Sequence, residues 1–399
     1  MYTTPAMRNT RGRPGRLVSA SQDGHDYEAW VPDPLPPTVD FDSEMATRLA
    51  DAAGSLGELA GTGRNLANPH LLLQPFLRRE AVLSSRIEGT QATIADLYAF
   101  EAAQMPLPGL GSDTQVANGD GDVREVLNYV DALNRGLAVV ADEYPVTLRL
   151  LEDLHRDLMR NVRGRDRRPG EFRSTQNIIG PTGSTLESAT YIPPPVVQMQ
   201  DALRDLETYI RDDTSTLHRL VRLGLIHYQF EAIHPFNDGN GRVGRLLISL
   251  LLVYWKLLPI PLLYLSAYFE THRGEYYDRL RGVTERGEWR EWIMFFLLGV
   301  AEQAVDAAQR AKRLQDLRQE LQDRAYAAKA PAGAVALAGR LVEQPVVTIR
   351  SAEQVLGVSY HNARRQIHRL VDIGILQPFP HRGQRELYVA REVLDAVGE

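Results

Sequence analysis

Residues 214–233, TSTLHRLVRLGLIHYQFEAI, carry apolar side chains on nearly every face of a helical projection. A helix apolar all round does not sit on a surface, so this one predicts the central rod of a helical body. It runs directly into His234-Pro-Phe-Asn-Asp-Gly-Asn-Gly-Arg-Val-Gly-Arg245 and then into the apolar stretch LLISLLLVYW, which ends at Trp255. Pro235 disfavours helical geometry at His234, so the buried helix should end there and present the imidazole at its exit. Gly239-Asn240-Gly241 can take positive-φ conformations that let backbone N–H groups converge, and a helix from Arg242 to Trp255 follows at once. Those donors therefore lie at the positive end of a helix, which makes an anion site suited to phosphate oxygens.

Arg242 and Arg245 are three apart on one helix face and add two guanidinium forks for a polyphosphate. Asp238 is a hard oxygen ligand suited to a Mg²⁺ ion that bridges phosphates. His234 is the side chain best suited to take a proton near neutral pH. Taken singly these are commonplace: a helix-end histidine, a glycine turn, a solvated arginine pair. Together, within twelve residues, they make a complete kit for phosphoryl or nucleotidyl transfer.

The rest of the chain provides room for such a site. Its 399 residues suffice for two or three domains, at roughly 100–200 residues each. A hydrophobic share of 44% permits a sizeable core, and a net charge of −6 argues against wholesale binding of nucleic acid or anionic lipid. With no cysteine there are no disulfides, thiolate metal sites or thiol nucleophiles, which fits a reducing cytoplasm. The basic N-terminus lacks the apolar run of a secretory signal. Leu246–Leu265 is interrupted by Lys256, Pro259 and Pro261, so its apolar run reaches about half the ~20 residues that span a bilayer. A buried helix and a turn are expected there, not a membrane segment.

Five regions are expected. Residues 1–40, rich in Pro, Gly and polar residues, read as an irregular arm with Tyr27 and Trp30 docked. Residues 41–145 read as an N-terminal helical region, and 146–300 as a helical core. Within the core, Arg168–Pro195 breaks the helical pattern with Gly-Pro-Thr-Gly between QNII and ATYI, which predicts a β-hairpin flap. One long, charged helix is expected over 288–328, and residues 301–330 read as a linker helix. Residues 331–399 read as a winged helix-turn-helix domain, turning at Gly357-Val358-Ser359 and carrying a basic turn at His381-Arg382-Gly383. The fold class is mainly α.

The segment His234–Arg245 matches throughout the Fic family motif, His-Pro-Phe-x-Asp/Glu-Gly-Asn-Gly-Arg-x-x-Arg, and the chain resembles that family over roughly residues 25–300. The resemblance implies an all-helical core that transfers AMP from ATP to Ser, Thr or Tyr hydroxyls of proteins. It implies His234 as general base, Asp238 as the Mg²⁺ ligand, Gly239, Asn240 and Gly241 as the anion hole, and Arg242, Gly244 and Arg245 around the ATP phosphates. Doc-type kinases of the same family carry Ala-Asn-Lys where this chain has Gly239-Asn240-Gly241, which favours AMP over phosphate as the transferred group. Ser84-Ser85-Arg86-Ile87-Glu88-Gly89 resembles the family's inhibitory helix, in which Ser84 and Glu88 restrain the site and Glu88 pairs with Arg245. Read alone, the hexapeptide is an ordinary helix end with Gly89 as its cap.

Gly170-Glu-Phe-Arg173 and Ala189-Thr-Tyr-Ile-Pro-Pro194 resemble the flanks of the family's target-docking hairpin. Ile178, Ile179, Thr190 and Tyr191 are then its docking residues, by strand addition. Tyr276-Tyr277 resembles the nucleoside-side segment, with Tyr277 against adenine, although Thr284 stands where some members have an Asn. Asn362, Arg364, Arg365, His368, Arg369, Arg382 and Arg385 would face DNA phosphates, yet acidic residues nearly balance the module, so protein contact is preferred over DNA. The expected partners are ATP and a protein substrate, with self-modification and a homodimer left open. Two other readings stay open: a hydrolase that removes AMP from modified proteins, and a nucleotide-sensing DNA-binding regulator.

Overall fold

The computed structural model describes residues 14–22, 24–65, 69–104, 121–162, 167–181, 183–380 and 386–398. It opens with an antiparallel hairpin, β1 (Gly15–Gln22) and β2 (His25–Pro32), whose register runs from Gly15 opposite Pro32 to Gln22 opposite His25. This corrects the expected irregular arm where the strands lie, within 15–32. The segment's Pro and Gly content masked a hairpin signal, the dipeptide Asp23-Gly24, and Gly24 takes φ 82° at the turn.

Helices follow: α1 (Ser43–Asn65), α2 (Pro69–Ile87), α3 (Ile94–Gln104), α4 (Gly121–Ala141) and α5 (Leu148–Leu158). After the flap region come α6 (Val196–Arg211), α7 (Arg219–Ile233), α8 (Asn240–Tyr254), α9 (Ser266–Thr271) and α10 (Arg273–Arg286). Between its first and last residues α7 buries every side chain except Glu231, which is partly buried, so it is the central rod that its composition demands. It packs against α6 and α8, and α8 in turn lies on α4 and α5. The chemistry-bearing loop is therefore clamped between two of the most buried elements of the molecule.

The flap is thinner than its sequence suggests. Among the described residues of the flap only Ile179 and Tyr191 pair, each donating its N–H to the other's carbonyl at 2.9 and 3.0 Å. Pro181, Pro193 and Pro194 lack donors and stop the ladder on either side.

A single 39-residue helix, α11 (Trp289–Ala327), matches the helix expected over 288–328 and runs across the domain boundary drawn at residue 300. The expected linker at 301–330 is thus a continuation of the core. Ala304, Ala307, Ala311, Leu314, Leu321 and Ala325 are buried at helical spacing beneath a charged outer face, and α11 packs along α1. Small alanines hid that stripe from a reading dominated by charge.

The C-terminal module comprises α12 (Ala332–Arg340), β3 (Val346–Val347), α13 (Ile349–Leu356), α14 (Tyr360–Asp372), β4 (Gln377–Phe379), β5 (Leu387–Val389) and α15 (Arg391–Val397). Its three-stranded sheet has the order β3-β5-β4, and Gly357 turns the chain between α13 and α14 with φ 62°. The module is not loosely tethered. Arg310 on α11 donates to the Ala396 carbonyl at 3.0 Å, β3 and β5 pack on α3, and α15 packs on α2. Of the expected DNA-facing residues, Arg369 donates to the Ala328 carbonyl, and Arg382 and Arg385 lie outside the described residues. No helix among the described residues is long and apolar enough to cross a membrane.

Candidate active site

His234 caps α7 in the left-handed region, with φ 48° and ψ 60°. A non-glycine residue there costs roughly 1–3 kcal/mol and persists only where its surroundings enforce it. They do. Arg173 Nε donates to the His234 carbonyl at 3.0 Å, Asn177 Nδ2 donates to the same oxygen at 3.3 Å and to Phe236 O at 2.9 Å, and the Arg173 N–H donates to Pro235 O at 2.9 Å. The imidazole Nδ1 lies 3.3 Å from the Glu231 carbonyl, which can only accept. Nδ1 therefore carries the proton and Nε2 is left as a base. Burial drives the His234 pKa down to about 4, so the ring is neutral at physiological pH.

Gly239, at φ 77°, turns the chain into α8, which starts at Asn240 rather than Arg242. The Asn240 side chain is tied to Phe236, accepting from its N–H at 2.8 Å and donating to its carbonyl at 2.8 Å. Gly241 is helical, against the expected positive φ, and its missing side chain serves a close approach instead. A Cβ there would run into Glu88 Oε1. Asp238 accepts the Gly239 N–H on Oδ1 at 2.7 Å. Its carbonyl lies 3.0 Å from His155 Nε2, while His155 Nδ1 accepts the Gly170 N–H at 2.9 Å. Because Nδ1 accepts, Nε2 donates, and the ring, stacked 3.8 Å from Phe236, ties α5, the flap base and the loop together.

Arg245 is buried on α8. Its Nε donates to Ser84 Oγ at 2.9 Å, and Nη2 donates to Ser84 O at 2.9 Å and to Glu88 Oε1 at 2.7 Å. Burial pushes the Glu88 carboxyl upward, but the Arg245 guanidinium outweighs that and holds it below its usual range. Two further carboxyls feel the same arginine: burial raises Glu80 and Glu231 each to about 7. Arg242 is buried too, 3.6 Å from Glu125 and with Nη2 at 3.5 Å from Met159 Sδ.

His234, Gly241, Arg245, Glu88 and Tyr277 all open onto one cavity of about 590 Å³, and the flap residues Ile178, Ile179, Thr190 and Tyr191 form its opposite wall. Asp238, Gly239, Asn240 and Arg242 lie outside this wall, and Gly244 faces α7, where a Cβ would press on Glu231. Tyr277 is 40% exposed, whereas Tyr276 is buried with its hydroxyl 2.9 Å from His227 Nε2. Thr284 also lines the cavity and lies 3.0 Å from the Tyr228 hydroxyl.

Comparison with known proteins agrees with this architecture. The Fic/DOC family N-terminal model matches residues 46–138, and the Fic/DOC family model matches residues 145–252. The chain belongs to the Fic/DOC family. Relatives named protein adenylyltransferase Fic, from Culex quinquefasciatus and Drosophila melanogaster, are 28% and 27% identical over 210 residues. Those residues are 52% of this Fic chain and 37% of each relative, so the match spans little more than a third of the relatives' length. A Fic family protein from Desulfovibrio desulfuricans shares the fold with a TM-score of 0.53 at 20% identity, covering 89% of this chain and 98% of that one. A Fic-1 structure from C. elegans gives a TM-score of 0.51 at 20% identity, over 68% and 74% of the two chains.

Several polar residues of this Fic site were not singled out from sequence, His155 and Asn177 among them. Glu231 and Glu125 carry a signal that could have found them, since each is a carboxylate inside an otherwise buried helix stripe. In the sequence Arg173 reads only as the end of a flap flank, with no role of its own. It is 1% exposed, and beyond the loop it donates to Thr175 O at 3.3 Å and to Pro194 O, at both flap limbs. All its partners are carbonyls. Arg173→Met should lower stability by about 1–3 kcal/mol for each carbonyl left dry and unpaired. A urea unfolding midpoint no lower than that of the parent would contradict this clamp, and Arg173→Lys should recover part of the loss.

Proposed function

We propose that the protein transfers AMP from ATP to a Ser, Thr or Tyr hydroxyl of a protein, and that Glu88 restrains the reaction by holding Arg245. The observation that carries this reading is the shared cavity. One wall presents a neutral histidine with a free Nε2, a helix N-terminus and a guanidinium, as transfer at a phosphorus atom requires. Glu88 stands in the same cavity on that guanidinium.

The target hydroxyl oxygen attacks the α-phosphorus while His234 Nε2 takes its proton. The bond from the α-phosphorus to the α,β-bridging oxygen breaks, and pyrophosphate leaves. Arg245 and the N–H groups at the start of α8 hold the phosphate charge, and Tyr277 is the side chain exposed for the base. Asp238 keeps Oδ2 clear of the Gly239 N–H, and one carboxylate beside a polyphosphate is a donor set that Mg²⁺ commonly accepts. When bound, the ion would neutralise charge on the phosphates.

Target docking has one available edge. Trp30 N–H donates to Ile192 O at 2.9 Å, so β2 covers the outer side of the 190–192 limb. Ile179 turns both its backbone groups inward to Tyr191, which leaves those of Ile178 and Gly180 directed outward for an incoming strand.

The test is labelling with two forms of ATP. Phosphorus-32 at the α-position should appear on protein and at the γ-position should not. Label from the γ-position would mean phosphate transfer and would overturn the reading. The hydrolytic alternative rests on Glu88 facing the same cavity as His234, where it would orient a water. It predicts AMP release from a pre-modified protein that stops on Glu88→Gly.

A further inference from the structure

A second groove, of about 1060 Å³, runs on from the candidate active site. The two cavities share Thr190, Tyr191, Thr284 and Glu285, so a chain leaving the neighbourhood of His234 over this ridge enters the groove. One wall is a face of the β1–β2 hairpin. Its register sets Leu17 opposite Trp30, Ser19 opposite Glu28 and Ser21 opposite Asp26, and directly paired residues point to the same side of a sheet. The other wall is the flap, with Leu186 and Glu187.

The charge of the lining is one-sided. Asp26, Glu28, Glu187 and Glu285 line the groove, all exposed, and among the described residues no Lys, Arg or His does so. Glu285 has Arg286 at 3.4 Å, but among the described residues Asp26, Glu28 and Glu187 form no ion pair. A concave wall of one sign concentrates its field and selects a partner of the opposite sign.

We propose that this groove selects the protein target: it receives an extended segment of the target chain, flanking the modified hydroxyl and rich in Lys and Arg. The proposal rests on the AMP-transfer reading for the entry of that hydroxyl beside His234. It adds that target choice is set by charge along the hairpin as well as by strand addition at Ile178 and Gly180.

The test uses the full chain carrying Glu88→Gly and two fluorescent peptides, each a central threonine flanked on both sides by lysines or by glutamates. Anisotropy should show the lysine peptide binding at least about tenfold tighter than its acidic twin, with the gap shrinking as salt rises. Asp26→Lys with Glu28→Lys should abolish or invert the preference, and Glu187→Lys alone should weaken it. ATP binding should stay unchanged in each variant, which establishes that the site is intact. Equal binding of the two peptides, or a preference that survives the charge reversals, would overturn the groove. AMP incorporation into protein is scored separately. Transfer with charge-blind binding removes only the groove, whereas charge-selective binding without transfer supports the groove and removes the activity beneath it.

Discussion

Glu88→Gly should raise AMP incorporation from ATP by about 5–150-fold, the usual range for a coupling between two mutually exclusive partners of one site. Arg245 has one Nη2 and three acceptors around it: Ser84 O, Ser84 Oγ through Nε, and Glu88 Oε1. Loss of Glu88 removes one acceptor only. The two Ser84 bonds keep the guanidinium on its present heading, so the change frees a donor without letting the side chain wander. Its position also frees space, because Glu88 Oε1 lies against the open side of Gly241 at the start of α8. A polyphosphate can then approach both the helix N-terminus and the arginine. The rise should be in rate more than in ATP affinity, since the carboxylate changes the pose of the phosphates and not the fit of the base. Single-turnover labelling at saturating ATP is the measurement, and a rate no higher than that of the parent would contradict restraint by Glu88.

That carboxylate also shows what sequence can and cannot reveal. Its pairing with Arg245 spans 157 residues and was legible because both ends lie in recognisable segments. So was the buried α7, whose all-round apolar composition leaves no other place for it. The N-terminal hairpin was not legible to the same degree. Proline and glycine content point to an irregular arm, and the dipeptide Asp23-Gly24 is a short signal for strands that are eight residues each. The length of α11 was legible, as a helix expected over 288–328, but its buried stripe was not, since alanines bury little area each and seldom register as a core stripe. Arg173 is the clearest limit. Four residues of motif fixed its place in the sequence, but only the folded chain shows that its partners are carbonyls of the catalytic loop and both flap limbs, and carbonyls carry no sequence.

His234→Ala should lower AMP incorporation by about 10²–10⁴-fold, the range that a positioned general base supplies. Alanine alone would confound two effects. The position sits at φ 48°, so any residue with a Cβ is strained there, and a loss of rate could come from a displaced loop. His234→Asn separates them, because asparagine tolerates left-handed backbone and cannot serve as the base. Both variants should therefore lose the reaction, while His234→Asn keeps ATP binding and the parent's unfolding midpoint. The protonation state gives a second, independent signature. With the ring's pKa driven by burial to about 4, it is deprotonated and competent throughout the neutral range. The acid limb of kcat/KM should then fall near pH 4 and not near the ordinary histidine value of about 6.5. Glu231, raised to about 7, titrates in the same cavity, so the profile belongs in a Glu231→Gln background where the imidazole limb stands alone. A limb centred near 6.5 in that background would mean an imidazole solvated like a free one, and would contradict a base shielded by its packing on α7 and the flap base.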